Sequence, residues 1–327
     1  MAEEGRRRYL GAVDLGGSKI LSVVADDEGR MVGEDRRPTD AEEGPEAGLE
    51  RLGASIEAAL ANAGLRREDL RAAGVCSPGP IDPARGVIPR APNLPGWHDV
   101  PVCQYLAGRL GVPTMLENDA TAAAYGEFVY GAGRGCRHIV YITVSTGIGG
   151  GLVLDGRLYR GASGAAGEIG HITIDVDGPL CGCGKPGHVE ALASGRAIAR
   201  EAQAVLARGG SPRLARLAEE EGELSAETVY RAALEDDPEA CRIIQRAGYY
   251  LGIGLAAYVD LFNPEVIIIG GGLRHMGDLY LGPAWEEMAR RAMDEPLKAV
   301  RLVEAELGDY TGAMGIVALL REGAATA

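Results

Sequence analysis

Two stretches far apart in this chain share one design, and that repeat limits its fold more than any other feature. Residues 9–36, YLGAVDLGGSKILSVVADDEGRMVGEDR, and residues 138–161, HIVYITVSTGIGGGLVLDGRLYRG, each read as a three-strand meander. In both, apolar runs are split first by a glycine-rich reversal and then by an acidic-Gly turn. The glycine reversals leave backbone N–H groups without side-chain cover, where they can converge on phosphate oxygens. Between and after the meanders the apolar spacing becomes helical. Leu49, Leu52, Ile56 and Leu60 define one helix over 46–62, and DATAAAYGEFVYGAG, whose start Asp119 or Asn118 could cap, opens another after the strand PTMLEND. A helical stretch is expected near 186–208, a polar one over 211–247, a buried helix in AGYYLGIGLAAYVDLFN, a buried strand in PEVIIIGGGL and a closing helix in TGAMGIVALLREG. Meanders alternating with helix–strand units predict an α/β, internally duplicated, two-domain protein with mixed sheets. The expected division is 1–117 plus 310–327 for a small α/β domain and 118–309 for a large one carrying a cysteine loop.

Composition narrows the partners. A net charge of −14 opposes broad contact with nucleic acid or an anionic membrane. No apolar run approaches the length of a membrane span, and the N-terminal MAEEGRRRYL lacks the apolar core of a secretory signal. A cytoplasmic protein is expected. Cys76, Cys103, Cys136 and Cys241 are scattered and read as reduced thiols.

The other two cysteines sit in CGCGKPGHVE, residues 181–190. Cys181 and Cys183 are followed by His188 and preceded by His171 within EIGH. Two thiolates and two imidazoles are a complete ligand set for tetrahedral structural zinc, so His171, Cys181, Cys183 and His188 are the predicted metal ligands. Three glycine loops follow apolar strands, at 14–18, 146–151 and 270–272. Lys19 does not make a Walker loop, because the required spacing is absent. Asp119 of Glu117-Asn118-Asp119 stands where a strand gives way to a helix. There it serves either as a helix cap or as a general base for a substrate hydroxyl.

The ordered set DLGGSK, SPGP, PNLPGW, ENDATAAAYGE, TGIGGG, EIGH, CGCGKPGHVE and IIIGGG, spread over about residues 9–320, resembles the ROK sugar kinases, most closely their ATP-dependent, glucose-phosphorylating branch. The resemblance implies an actin/hexokinase-like fold of two ribonuclease-H-like domains with an interdomain cleft. It implies ATP and Mg²⁺ as cofactors beside structural Zn²⁺, and a homodimer or homotetramer. Asp119 would then be the catalytic base, with Asn118, Glu168, His171 and Glu190 on the sugar hydroxyls and Gly79 and Asn93 at the pocket wall. Asp14, Gly16, Gly17, Ser18, Lys19, Thr146 and Gly147 would hold the phosphates and magnesium, and Gly271 and Gly272 the adenosine. The family's usual third cysteine is His188 here, so Cys2His2 is expected in place of Cys3His, with His171 ligating zinc by one nitrogen and facing the sugar with the other. Thr121 stands where the glucose enzymes often carry asparagine. Sugar-responsive ROK repressors place a helix-turn-helix before the first phosphate loop, which here begins already at Asp14. Other hexoses or N-acetylhexosamines remain alternative substrates.

Overall fold

The computed structural model describes residues 9–91 and 93–325, and the chain divides into two compact units, Met1–Gly135 with Ala305–Ala327, and Cys136–Glu304. In the first unit the strands are β1 (Tyr9–Leu15), β2 (Lys19–Ala25), β3 (Met31–Pro38), β4 (Leu70–Ser77), β5 (Ile88–Arg90), β6 (His98–Val100) and β7 (Thr114–Asn118). Its helices are α1 (Gly44–Asn62), α2 (Val102–Leu110) and α3 (Asp119–Tyr130). The second unit holds β8 (Ile139–Val144), β9 (Ile148–Leu154), β10 (Arg157–Leu158), β11 (Val266–Gly270) and β12 (Arg301–Glu304). Around them lie α4 (Val189–Ala193), α5 (Gly195–Ala207), α6 (Pro212–Glu221), α7 (Ala226–Leu234), α8 (Pro238–Phe262), α9 (Asp278–Arg291) and α10 (Asp294–Ala299). The chain then returns to the first unit as α11 (Thr311–Ala325).

The two main sheets have the same plan. Their orders are β3-β2-β1-β4-β7 and β10-β9-β8-β11-β12, each an antiparallel meander extended by two parallel strands. The duplication expected from the meanders is therefore present strand for strand. Its physical origin is that a glycine reversal permits an antiparallel hairpin, whereas a parallel neighbour requires a helical crossover. Each unit encloses its own apolar core, with Leu52, Ile56 and Leu60 of α1 buried in the first and Leu251, Leu255 and Val259 of α8 in the second. Register brings predicted site residues together at the strand ends: Asp14 lies opposite Cys76, Cys76 opposite Glu117, and Ser77 opposite Asn118.

The boundary between units differs from the expected one. Residues 118–135 belong to the first unit, because α3 packs on α11 almost backbone to backbone. A Cβ on Gly315 would lie 1.8 Å from the Ala122 carbonyl oxygen, and one on Gly126 would lie 2.6 Å from that of Thr311. Only glycine lets the helices meet so closely. Residues 305–309 likewise join the first unit. The expected helix over 186–208 is two helices, α4 and α5, parted at Ser194, whose hydroxyl caps α5 by accepting from the Ala197 N–H. Among the described residues no helix is long and apolar enough to cross a membrane.

Candidate active site

In the first unit the predicted residues gather where β1, β4 and β7 end. Asn118, rather than Asp119, caps α3: its Oδ1 accepts from the Thr121 N–H at 3.0 Å. Asp119, half-buried in the first turn of that helix, accepts from the Ala120 N–H at 2.8 Å. The capping duty that competed with a catalytic role thus falls on its neighbour. Asp14 is near enough to Asp119 to feel its charge. Burial, reinforced by that repulsion, raises the Asp14 carboxyl to about 7, against the lowering effect of a Cys76 hydrogen bond. A Cβ on Gly312, at the start of α11, would sit 2.8 Å from Asp14 Oδ2, so the carboxylate lies against that helix's first turn.

The β1–β2 turn is closed by the Gly16 N–H on the Lys19 carbonyl at 2.9 Å. Thr39 holds it from the side, its N–H on the Ser18 carbonyl at 3.0 Å and its hydroxyl on the Gly16 carbonyl at 2.8 Å. Gly17 touches Asn93: a Cβ there would be 3.1 Å from the Asn93 Cβ. Gly79 faces Asn118, with 3.7 Å from a Cβ built on it to Asn118 Nδ2. Ser18 is exposed, and Lys19 is paired with Asp309 at 3.1 Å, which Arg36 also engages at 2.8 Å.

In the second unit the β8–β9 turn bears exposed Thr146 and half-buried Gly147. It is held by the head of α5, where the Gly195 and Arg196 N–H groups donate to the Ser145 and Thr146 carbonyls at 2.8 and 3.2 Å. From the other side Glu190 Oε2 accepts the Ile148 N–H at 3.0 Å. Gly271 has φ +84°, and a Cβ there would meet the Val144 carbonyl oxygen at 2.3 Å, so this corner requires glycine. Gly272 faces open space. A cavity of ≈320 Å³ opens at the same strand end, lined by Ile269, Asp278, Leu281, Trp285 and Leu302 among others.

The four predicted ligands come together. One ligand atom from each of His171, Cys181, Cys183 and His188 lies within 4.8 Å of all the others. The two Nδ1 atoms are 3.3 Å apart, Cys181 Sγ is 3.5 Å from His171 Nδ1, and Cys183 Sγ is 3.3 Å from His188 Nδ1. Zinc bonds of about 2.0–2.3 Å give tetrahedral edges of about 3.3 Å between nitrogens and about 3.6 Å between nitrogen and sulfur. These three edges fit. Glycine makes the loop possible, since a Cβ on Gly187 would be 1.5 Å from the Asp175 carbonyl oxygen. With both Nδ1 atoms turned inward, His171 Nε2 lies outward, 3.7 Å from exposed Glu168. Glu190 joins cluster and turn: its Oε1 is 3.2 Å from Cys181 Sγ. Burial, with the carboxylate of Glu190 beside it, pushes the Cys181 thiol up to about 12.

Thr39 and Gly312 carry no recognisable motif, and sequence reasoning missed them. Their contacts arise only from strand pairing and from the return of α11.

The fold is actin/hexokinase-like, with the duplicated mixed sheets described above. The chain belongs to the ROK family, whose pattern matches residues 10–323. The glucokinase of Thermotoga maritima is 35% identical over 310 residues, covering 95% of this chain and 96% of that one. A ROK hexokinase from Thermus thermophilus is 38% identical with a TM-score of 0.78, over 96% of this chain and 97% of its own. A ROK family glucokinase from Streptomyces griseus, solved with glucose and AMPPNP, is 34% identical with a TM-score of 0.80, over 96% of this chain and 100% of its own.

Proposed function

We propose that this protein transfers the γ-phosphoryl group of ATP to the 6-hydroxyl of glucose. The observation that carries the reading is Asp119, a half-buried carboxylate released from helix capping by Asn118 and set beside Asp14 and a glycine turn. A sugar hydroxyl has a pKa far above neutrality, so Asp119 chiefly aligns it and accepts its proton late, as bonding to phosphorus develops. Asn118, Glu168, His171 and Glu190 bind the other hydroxyls, with Gly79 and Asn93 at the wall. The amides of the turns at 16–18 and 146–147 take phosphate oxygens, and Gly271 and Gly272 leave room for the adenosine. Lys19, held by Asp309, would have to exchange that partner to reach a phosphate.

Asp14 is the carboxylate for magnesium, a hard cation that prefers oxygen ligands and, when bound, offsets phosphate charge. The crowding of Asp14 and Asp119 fits a place that a cation relieves. His171, Cys181, Cys183 and His188 would hold zinc, which supplies structural order and no chemistry at phosphorus. The protein acts in the cytoplasm as a homodimer or homotetramer, which sedimentation of the purified protein decides.

The test is a coupled ADP-release assay with Mg-ATP over glucose, mannose, fructose, allose, N-acetylglucosamine and N-acetylmannosamine, with a sugar-free control. Preference for glucose is expected. Preference for another sugar overturns the substrate and keeps the chemistry, and turnover that ignores every sugar overturns both.

A further inference from the structure

One residue of the ENDATAAAYGE motif has no part in the chemistry above. Glu127 is fully buried, yet its carboxylate meets no cation among the described contacts. Its hydrogen-bond donors are chiefly main-chain N–H groups. Oε2 accepts the N–H of Ala132 at 2.9 Å and that of Glu306 at 3.2 Å, while Oε1 accepts the N–H of Leu307 at 2.9 Å and faces the Thr311 hydroxyl at 3.5 Å. The Glu127 carbonyl also accepts from the Gly131 and Gly133 N–H groups. The fit is tight: a Cβ on Gly131 would lie 2.0 Å from Oε2.

These donors lie on two segments of special standing. The chain leaves the first unit after Gly135 and re-enters it at Ala305, so the stretches before and after those points are its only covalent passages between units. Ala132 lies on the outgoing passage, Glu306 and Leu307 on the returning one. A helix end that needed only a local cap would be served by donors nearby. The returning amides come from 179 and 180 residues further on. At the other end of the same helix, about two turns or 12 Å away, stands Asp119.

We propose that Glu127 is a positioning residue for the reaction: one buried carboxylate fastens both interunit passages to the helix that begins with Asp119. Any change in the relation of the units has to pass through those two segments. Glu127 makes the base and both passages move as one piece. A neutral glutamine offers one acceptor and one misdirected donor where three main-chain N–H groups converge, so it releases part of one passage.

The inference rests on Asp119 being the base, and the experiment separates the two. In the wild-type protein, hydrogen exchange at Ala132, Glu306 and Leu307 should be as slow as in the sheets, and ready exchange there overturns the clamp without any mutant. In Glu127→Gln those amides should exchange faster while the central strands keep their protection. The kcat of the folded variant should fall about tenfold or more with a smaller change in glucose KM, because misplacement of the base is felt in the transition state. ADP release without sugar should become a larger share of turnover. Glu127→Asp, which keeps the charge at shorter reach, should recover part of kcat and serves if glutamine prevents folding. A folded Glu127→Gln with lowered thermal stability and wild-type kcat would make the residue structural only and overturn the proposal. A wild-type protein with no sugar-dependent turnover would remove the catalytic role together with the kinase reading, while the exchange data would still report the clamp.

Discussion

The β1–β2 and β8–β9 turns occupy equivalent places in two equivalent sheets, yet they are held by different means. Thr39, next to the edge strand, grips the first through two carbonyls, and Asn93 backs it. The second is gripped by the head of α5 and by Glu190, a carboxylate that also reaches Cys181. Duplication copied the strand order without copying the supports. Among the described contacts only the second turn is connected, through Glu190, to the His and Cys cluster, so loss of a metal held by that cluster should be felt there and not at the first.

The largest expected effect would break the symmetry of roles altogether. Asp119→Asn should lower kcat by about 10²–10⁴-fold with little loss of stability, since Asn118 still caps α3. Retention of near-full rate would remove Asp119 from the base role. Next comes metal. Protein stripped by a chelator and reloaded should bind one zinc per chain; stripping, or Cys183→Ser, should lower the melting temperature and weaken sugar binding, with faster exchange at Ile148 and no change at Gly16. Absence of stoichiometric zinc would defeat the ligand assignment, and equal loosening of both turns would defeat the contrast.

A third, smaller effect concerns the first turn's carboxylate. Asp14 is raised in the folded protein to about 7 from the ordinary 3.8, so between those values the unfolded chain ionises first. The contribution of Asp14 to stability should therefore fall as pH rises from about 4 to about 7 and level off above, by a few kcal/mol at most. Without nucleotide or magnesium, Asp14→Asn should melt higher than wild type at pH 8, and the gap should close toward pH 4. A gap independent of pH would refute the shift. The smallest effect is Thr39→Val, which removes one hydroxyl contact and should cost about 1 kcal/mol while loosening only the first turn.

What could be read beforehand follows from range along the chain. The hairpins and the clustering of His171, Cys181, Cys183 and His188 were legible because these residues are close in sequence and their chemistry is specific to residue type. The half-exposed strand β12 was not, since four residues with no clean alternation give no period to detect. Ser194, which splits α4 from α5, is an ordinary cap hidden inside a helical pattern. The unit boundary was misplaced because Gly126 meets Gly315 across the whole sequence length of the second unit, a pairing no local pattern announces. Thr39 was silent because its contacts with Gly16 and Ser18 form only once β2 and β3 pair, and one threonine after a strand carries no signal of that. The candidate residues at 14–19, 79, 93, 118 and 119 lie at one end of the first sheet, and those at 146–147, 168, 171 and 190 on one side of the second unit.

The return of α11 also sets an order of events in time. During synthesis the second unit is one uninterrupted length, 136–304, and emerges whole from the ribosome. The first unit cannot finish when its own strands appear, because β1 and β4 are covered by α11, which is made after everything in between. Through that interval its sheet must wait with an apolar face uncovered, which makes the earlier-born half the later to mature and the one more open to misassociation.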